Sequence, residues 1–365
     1  MKNLEVVCGV KSSEKVITTT ITEKNKKYGA TDTDVSSVYV DYEGNLTLIN
    51  PTITKSGDTS SSNASSSTGL NAAVWAKGAS TVTISDGTVT TDAVGGNGVF
   101  AADLGTAVTL SDLTIETSAD YAHGVDAVNG ALITLNNVTV TTEGAHCSAI
   151  ATDAGRGNAT TLVVAGGTFV ANGEGSAAIY CDGDGVVTVS DATATATNDN
   201  GAVIDRNGIL SLSNTVLVGS VNGIMVHDSE SSTRTAIISI DGGSVTGQGG
   251  AGILITGTGM TAEVTVTGGA VISGSNDTII EAAEDGQAIF TADGETLAGN
   301  LVSDNTSLTA VLQNGTILTG CINGENTASA INLTLDETST WSVTGTSYLT
   351  TFTDADTSLA NIDDN

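Results

Sequence analysis

Asp103, Asp126, Asp153, Asp182 with Asp184, Asp205 with Arg206, and His227 with Asp228 each follow the same kind of short apolar strand, about one set per 26 residues. Carboxylates that recur once per repeat can do two kinds of chemistry. Two of them a few ångströms apart can flank a glycosidic bond. Several together, with a basic residue such as Arg206, can hold Ca2+ against a sugar. Asp153, Asp182 and Asp205 are the best aligned, and Tyr180 is the aromatic that stands beside them. The competing explanation is turn chemistry, because Asp and Asn side chains cap a turning backbone and recur at corners whatever the function. Details favour the corners. No NTD, GHG or RIK sequence occurs, and the positions before the glycine of the first strand hold Asn97, His123, Asn200 and Asn222 rather than acids. His123 and His146 read as solvated corner residues. The expectation is therefore no catalytic residue, no metal site and no cofactor beyond weak Ca2+ binding at corner carboxylates, with the ten residues Asp103, Asp126, Asp153, Tyr180, Asp182, Asp184, Asp205, Arg206, His227 and Asp228 as ligand-binding candidates.

The elements that carry these residues repeat. A second strand reads VTIS from Val82, VTLS from Val108, ITLN from Ile133, LVVA from Leu162, VTVS from Val187, LSLS from Leu210, ISID from Ile238 and VTVT from Val264, with starts 23 to 29 residues apart. That interval marks a solenoid. Apolar residues alternate within each strand, so one face is dry and the other carries Thr and Ser. The first strand gives an independent ladder at the same period, in Val74, Val99, Val125, Ile150, Ile179, Val203, Ile224, Ile253 and Ile279. A weaker third strand follows in Val89, Ile115, Val140 and Phe169. Three strands per coil, climbing about 4.8 Å per turn, make an all-β, right-handed parallel β-helix. About ten coils are expected, with N- and C-terminal caps. Helix is nearly excluded by the β-branched runs and 44 Gly.

The ends differ from the middle. Residues 1–36 read as an N-terminal cap and 37–276 as regular coils. The Ser-rich stretch at 57–69 reads as a flexible loop that buries nothing. Residues 277–353 read as larger, irregular C-terminal coils and a cap, and 354–365 as a tail. The first residues hold too short an apolar stretch for a signal peptide, so the expectation is an exported chain without its signal or a cytosolic one. No apolar run is long enough to span a membrane.

Charge narrows the partners. The chain has 41 acidic and 11 basic residues, a net charge of −30, with six of the basic residues before Ala30. Such a body repels nucleic acid and anionic lipid. Four cysteines, Cys8, Cys147, Cys181 and Cys321, show no CxxC or Cys/His cluster, which removes zinc from the leading readings. Cys147 and Cys181 do not share a rung position, which argues against pairing them.

The segments GLNAAVWAKGASTVTISDGTVTT, GSAAIYCDGDGVVTVSDATATAT and INLTLDETSTWSVTGTSYLTTFTDAD resemble the adhesin-like, pectin-lyase-like right-handed β-helix surface proteins of gut Clostridia and related anaerobes. The resemblance spans roughly Val38 to Ile362. It implies an extracellular or cell-surface rod without established catalytic residues, binding host or microbial glycans or proteins, and it assigns no functional residue. The family's export signal has no counterpart at the start. Because the same fold also hosts polysaccharide lyases and glycoside hydrolases, the alternative is an enzyme that uses the stacked Asp row.

Overall fold

The computed structural model describes residues 20–153, 158–228, 230 and 232–364. The chain is an all-β parallel solenoid of about 14 turns. It divides into two compact units, one of Met1–Thr188 and Thr195–Asn198, the other of Val189–Ala194 and Asp199–Asn365.

In the first unit three ladders climb in register. The inward column of first strands runs Val38, Val74, Val99, Val125, Ile150 and Ile179, each paired with the next. Every member is at most 2% exposed. Second strands stack from Thr20–Lys24 through Asn45–Ile49, Thr81–Ser85 and Ala107–Ser111 to Leu132–Thr142 and Thr161–Ala171. Third strands stack beside them from Lys27–Ala30 onward. The corner between second and third strands is a left-handed residue in successive turns: Asn25, Asn50, Asp86, Asp112 and Asn137 all have φ between 50° and 59°. Neighbouring corner side chains hydrogen-bond, Asn50 to Asn25 at 2.8 Å and Asn137 to Asp112 at 2.7 Å. A short polar side chain tolerates this conformation and ties one turn to the next.

In the second unit the inward column is Ala202, Ile224, Ile253, Ile280 and Leu301. Two residues expected in it are displaced by one. Val203 pairs with Met225 on the opposite face, and Ile280, not Ile279, pairs with Ile253. In three of these rungs the residue that turns inward directly follows a glycine, as in Gly201–Ala202, Gly223–Ile224 and Gly252–Ile253. A Cβ on Gly201 would lie 2.7 Å from the Gly223 carbonyl oxygen, so close backbone approach pins the register.

Coil count and ends need correction. Strands Thr20–Lys24 and Lys27–Ala30 already pair as the second and third strands of a rung, so the solenoid starts before Val38 and inside the expected cap; residues 1–19, with Cys8, lie outside the described residues. At the other end Ile362–Asp363 pairs with Thr340–Val343, so the expected tail completes a rung. The late coils are shorter, not larger. Ala288 pairs with Leu308 and Asn332 with Thr351, intervals of 20 and 19 residues. The 20-residue coil keeps three short strands, Gln287–Asp293, Thr296–Ala298 and Asn300–Ser303, with only one or two residues between them, and the ladder of first strands ends there.

Corner carboxylates in this region stabilise by accepting backbone N–H groups. Asp336 takes the N–H of Asn314 at 2.6 Å, of Thr338 at 3.0 Å and of Ser339 at 2.8 Å. Burial pushes its pKa up, but these hydrogen bonds outweigh that and bring it down to about 2. Its contribution is therefore complete above the ordinary carboxylate range and lost as pH falls from about 4 to about 2. Asp336→Ala is expected to cost about 1 kcal/mol at pH 7 after solvent screening. The difference from the parent in urea unfolding should shrink to nothing near pH 2; a gap that persists there would assign the loss to packing.

Candidate functional site

First strands have a second, outward face, and in the first unit it is not bare. Its column runs Tyr39, Trp75, Phe100, Asp126, Ala151 and Tyr180 in register. Phe100 is fully buried and Trp75 only 7% exposed, so something must cover them. The cover is helix α1, Ser62–Thr68, within the stretch expected to be a flexible loop. Ser61 caps its start by accepting the Ala64 N–H, and Gly69 ends it at φ 80°. A Cβ on Gly69 would sit 2.3 Å from the Phe100 ring, which is how closely this turn lies on the aromatic residues. Ser and Thr are weak helix formers, and here Ser65, Ser67 and Thr68 return their hydroxyls to carbonyls four residues back. Tertiary contact supplies the rest: Ser65 is buried, and its carbonyl accepts the Asn97 side-chain amide at 3.1 Å.

Two clefts flank this helix. One, of about 330 Å³, is lined by Thr68, Trp75, Lys77, Asp103 and Asn129. The Lys77 ammonium lies 4.6 Å from the centre of the Trp75 ring and 3.6 Å from Asp41. The other, of about 260 Å³, is lined by Ser66, Tyr121, His123, His146, Ser148, Asp153 and Tyr180. There Tyr121 stacks on His146, ring centres 5.2 Å apart and planes inclined by 20°. A third groove of about 600 Å³ runs over third strands and is polar throughout, with Thr90, Asp92, Glu116, Thr141 and Glu143.

His123 corrects the expectation of a solvated corner histidine. Its backbone N–H donates to the Asn97 side chain at 2.8 Å, and its own Nδ1 accepts the Ser148 N–H at 3.0 Å. The ring thus takes the place of an asparagine in a rung-to-rung ladder, the same ladder that Asn200 and Asn222 build in the second unit, where Asn222 accepts the Ala251 N–H at 2.8 Å. Burial pushes the His123 pKa down to about 4, so the ring is neutral. With Nδ1 accepting, its proton resides on Nε2.

Behind the cleft wall stands Asp126. One ligand-type atom each from His123, Asp126 and Asp153 lies within 4.8 Å of the others. Asp126 is fully buried, and neither carboxylate oxygen has a well-formed hydrogen bond, the N–H groups of Asp153 and Ala127 giving it only weak contact. Burial, then the charge of Asp153, push its pKa well above the usual carboxylate range.

The other expected site residues divide by unit. Asp103 is a left-handed corner residue that accepts the Asn129 side chain at 3.1 Å. Tyr180 and Asp153 line the second cleft; Asp182 is buried one residue past Cys181, whose partner in the ladder is Thr152, and Asp184 is exposed in the following turn. Asp205, Arg206, His227 and Asp228 belong to the second unit. There His227 lies 3.8 Å from Asp205, and Arg206 pairs with Glu230 at 3.1 Å. Asp228 accepts the N–H groups of Glu230 and Ser232 at 2.7 and 2.6 Å, a turn anchor. Cys147 is buried, which raises its thiol pKa to about 12 and leaves it inert.

Helix α1 and the pairing of Tyr121 with His146 escaped the sequence reading. A signal for the helix was present: VWA and VFA at Val74 and Val99 have no polar residue on either face, so both faces must be covered. No protein-family model, curated protein or solved structure matches the chain.

Proposed function

We propose that this chain is a non-catalytic, adhesin-like solenoid of the kind borne on the surfaces of gut Clostridia and related anaerobes, and that it binds host or microbial glycans in the cleft beside helix α1. The observation that carries the reading is the cleft itself, which the stacked Tyr121 and His146 line together with Tyr180, Ser148 and Asp153. Aromatic faces with a few fixed polar groups are what a sugar ring requires. The net charge of −30 supports a neutral or cationic ligand over nucleic acid or anionic lipid. No helix among the described residues is long and apolar enough to cross a membrane. A pectin-lyase-like fold does not by itself imply activity.

A glycan array probed with the intact chain tests this. Tyr121→Ala is expected to reduce binding to the best glycan at least about tenfold, the loss of one stacked ring, while its melting temperature stays near that of the parent because Tyr121 is exposed. An array without a hit, or a hit indifferent to Tyr121, removes the reading.

One observation favours the enzyme. Two carboxyls in contrasting surroundings, Asp126 buried and Asp153 on the cleft, are an acid–base pattern. Against it, Asp126 is fully buried and cannot touch a glycosidic oxygen. Product release from a polysaccharide panel that Asp153→Asn abolishes would decide for the enzyme.

A further inference from the structure

We propose that Asp126 and Asp153, beside His123, form a site for one divalent cation of the hard, oxygen-seeking class, set behind the wall of the Tyr121 cleft. Carboxylates are ordinary on so acidic a chain, and their number alone marks nothing. Asp126 differs from the rest: it is fully buried, and neither of its oxygens has a well-formed hydrogen bond, the N–H groups of Asp153 and Ala127 giving it only weak contact. A carboxylate in that state is expensive unless a positive charge joins it. Among the described residues, Asp153 and Asp182 act on it with charges of the same sign and add to the cost. One oxygen each of Asp126 and Asp153 and a nitrogen of His123 lie within 4.8 Å of one another, so an ion held by the two carboxylates would sit beside the imidazole.

The class of ion follows from the imidazole. Nδ1 of His123 is engaged by the Ser148 N–H at 3.0 Å, so Nε2 carries the ring proton and offers no lone pair while that bond holds. A zinc-type site would need the lone pair. Two carboxylates with water from the cleft suit Ca2+ or Mn2+, which accept oxygen ligands and keep waters. Asp153 and His123 line the cleft, which gives the ion its way in. This inference does not rest on glycan binding, and its test contains no glycan, so either can fail alone.

The test is calorimetric titration and thermal melting of the whole chain, stripped with EDTA, against CaCl2, MnCl2 and ZnCl2. The parent is expected to take up one equivalent of Ca2+ or Mn2+, with the melting temperature rising about 5 °C or more at a hundredfold excess over Kd. Asp126→Asn is expected to weaken binding at least about tenfold and erase the rise. In EDTA it should melt no lower than the parent, because an amide of the same shape replaces an unpaired charge. Should Asp126→Asn fail to fold, Asp153→Asn, on the cleft wall, carries the same comparison. The proposal is overturned by the absence of saturable Ca2+ or Mn2+ uptake, by a response to Zn2+ alone, or by a rise that the variants retain in full, which would mark general screening of the acidic surface.

Discussion

Ile179→Asp unfolds the first unit or removes most of its stability, a loss expected at about 4–5 kcal/mol or more. Ile179 is fully buried and sits in the inward column against Ile150. Ile150 and the next members of the column, Val125 and Val99, are aliphatic and offer no hydrogen bond. A carboxylate at this position would either ionise without a partner or take up a proton and still leave a polar group in hydrocarbon. Because solenoid turns are stabilised by their neighbours, the damage spreads to the adjacent rungs instead of staying at one residue. Urea unfolding followed by circular dichroism measures it. A loss below about 1 kcal/mol would mean the side chain faces solvent, and the inward column would have to be redrawn.

Deleting Ser60–Ser67 is expected to cost roughly 4–6 kcal/mol. The figure follows from uncovering about half of Phe100 and Trp75, aromatic residues that bury 150–250 Å² each at about 25 cal/mol per Å². The deletion removes nearly all of helix α1, with the Ser65 carbonyl that satisfies Asn97. Taken as a loop that buries nothing, the same segment would be dispensable, so this one variant separates the two descriptions. Its melt and its binding of a hydrophobic dye should both change. An unaltered melting temperature would return residues 57–69 to the status of a loop.

What was legible in the sequence is what repeats. Period-two alternation and a near-constant interval made the strand ladders readable, and the structure keeps Val99, Val125, Ile150 and Ile179 in one column. Where two apolar residues stand side by side, as in Ala202–Val203, size is a poor guide, because contact between backbones at the preceding glycine chooses the smaller one. Asp103 and Asp228 are corner residues of two kinds: Asp228 accepts the N–H groups two and four residues ahead, whereas Asp103 accepts from Gly78 and Asn129 on the rungs to either side. Asp126 is neither. It directly follows inward Val125 and pairs with Phe100, whereas Asp103 comes four residues after Val99 at the corner; what the sequence does not show is that a helix more than 50 positions earlier lies on that outer face. The cleft is non-local for the same reason. Tyr121, His146 and Tyr180 lie on three successive turns and meet only once those turns are stacked. In the late coils the missing first strand looked like a longer period, because the eye follows strands and not the chain between them.

The two tryptophans are placed one to each compact unit, Trp75 in the first and Trp341 in the second, and both are buried. Trp75 lies beneath an ammonium group, whereas the Trp341 indole N–H donates to the Gly320 carbonyl at 3.0 Å. Their emission therefore arises from unlike surroundings, a cation over one ring and a carbonyl acceptor at the edge of the other. Replacing either by Phe leaves a single native fluorophore that reports on one half of the chain. Whether the solenoid melts in one cooperative step or in two is then a question that light alone can answer.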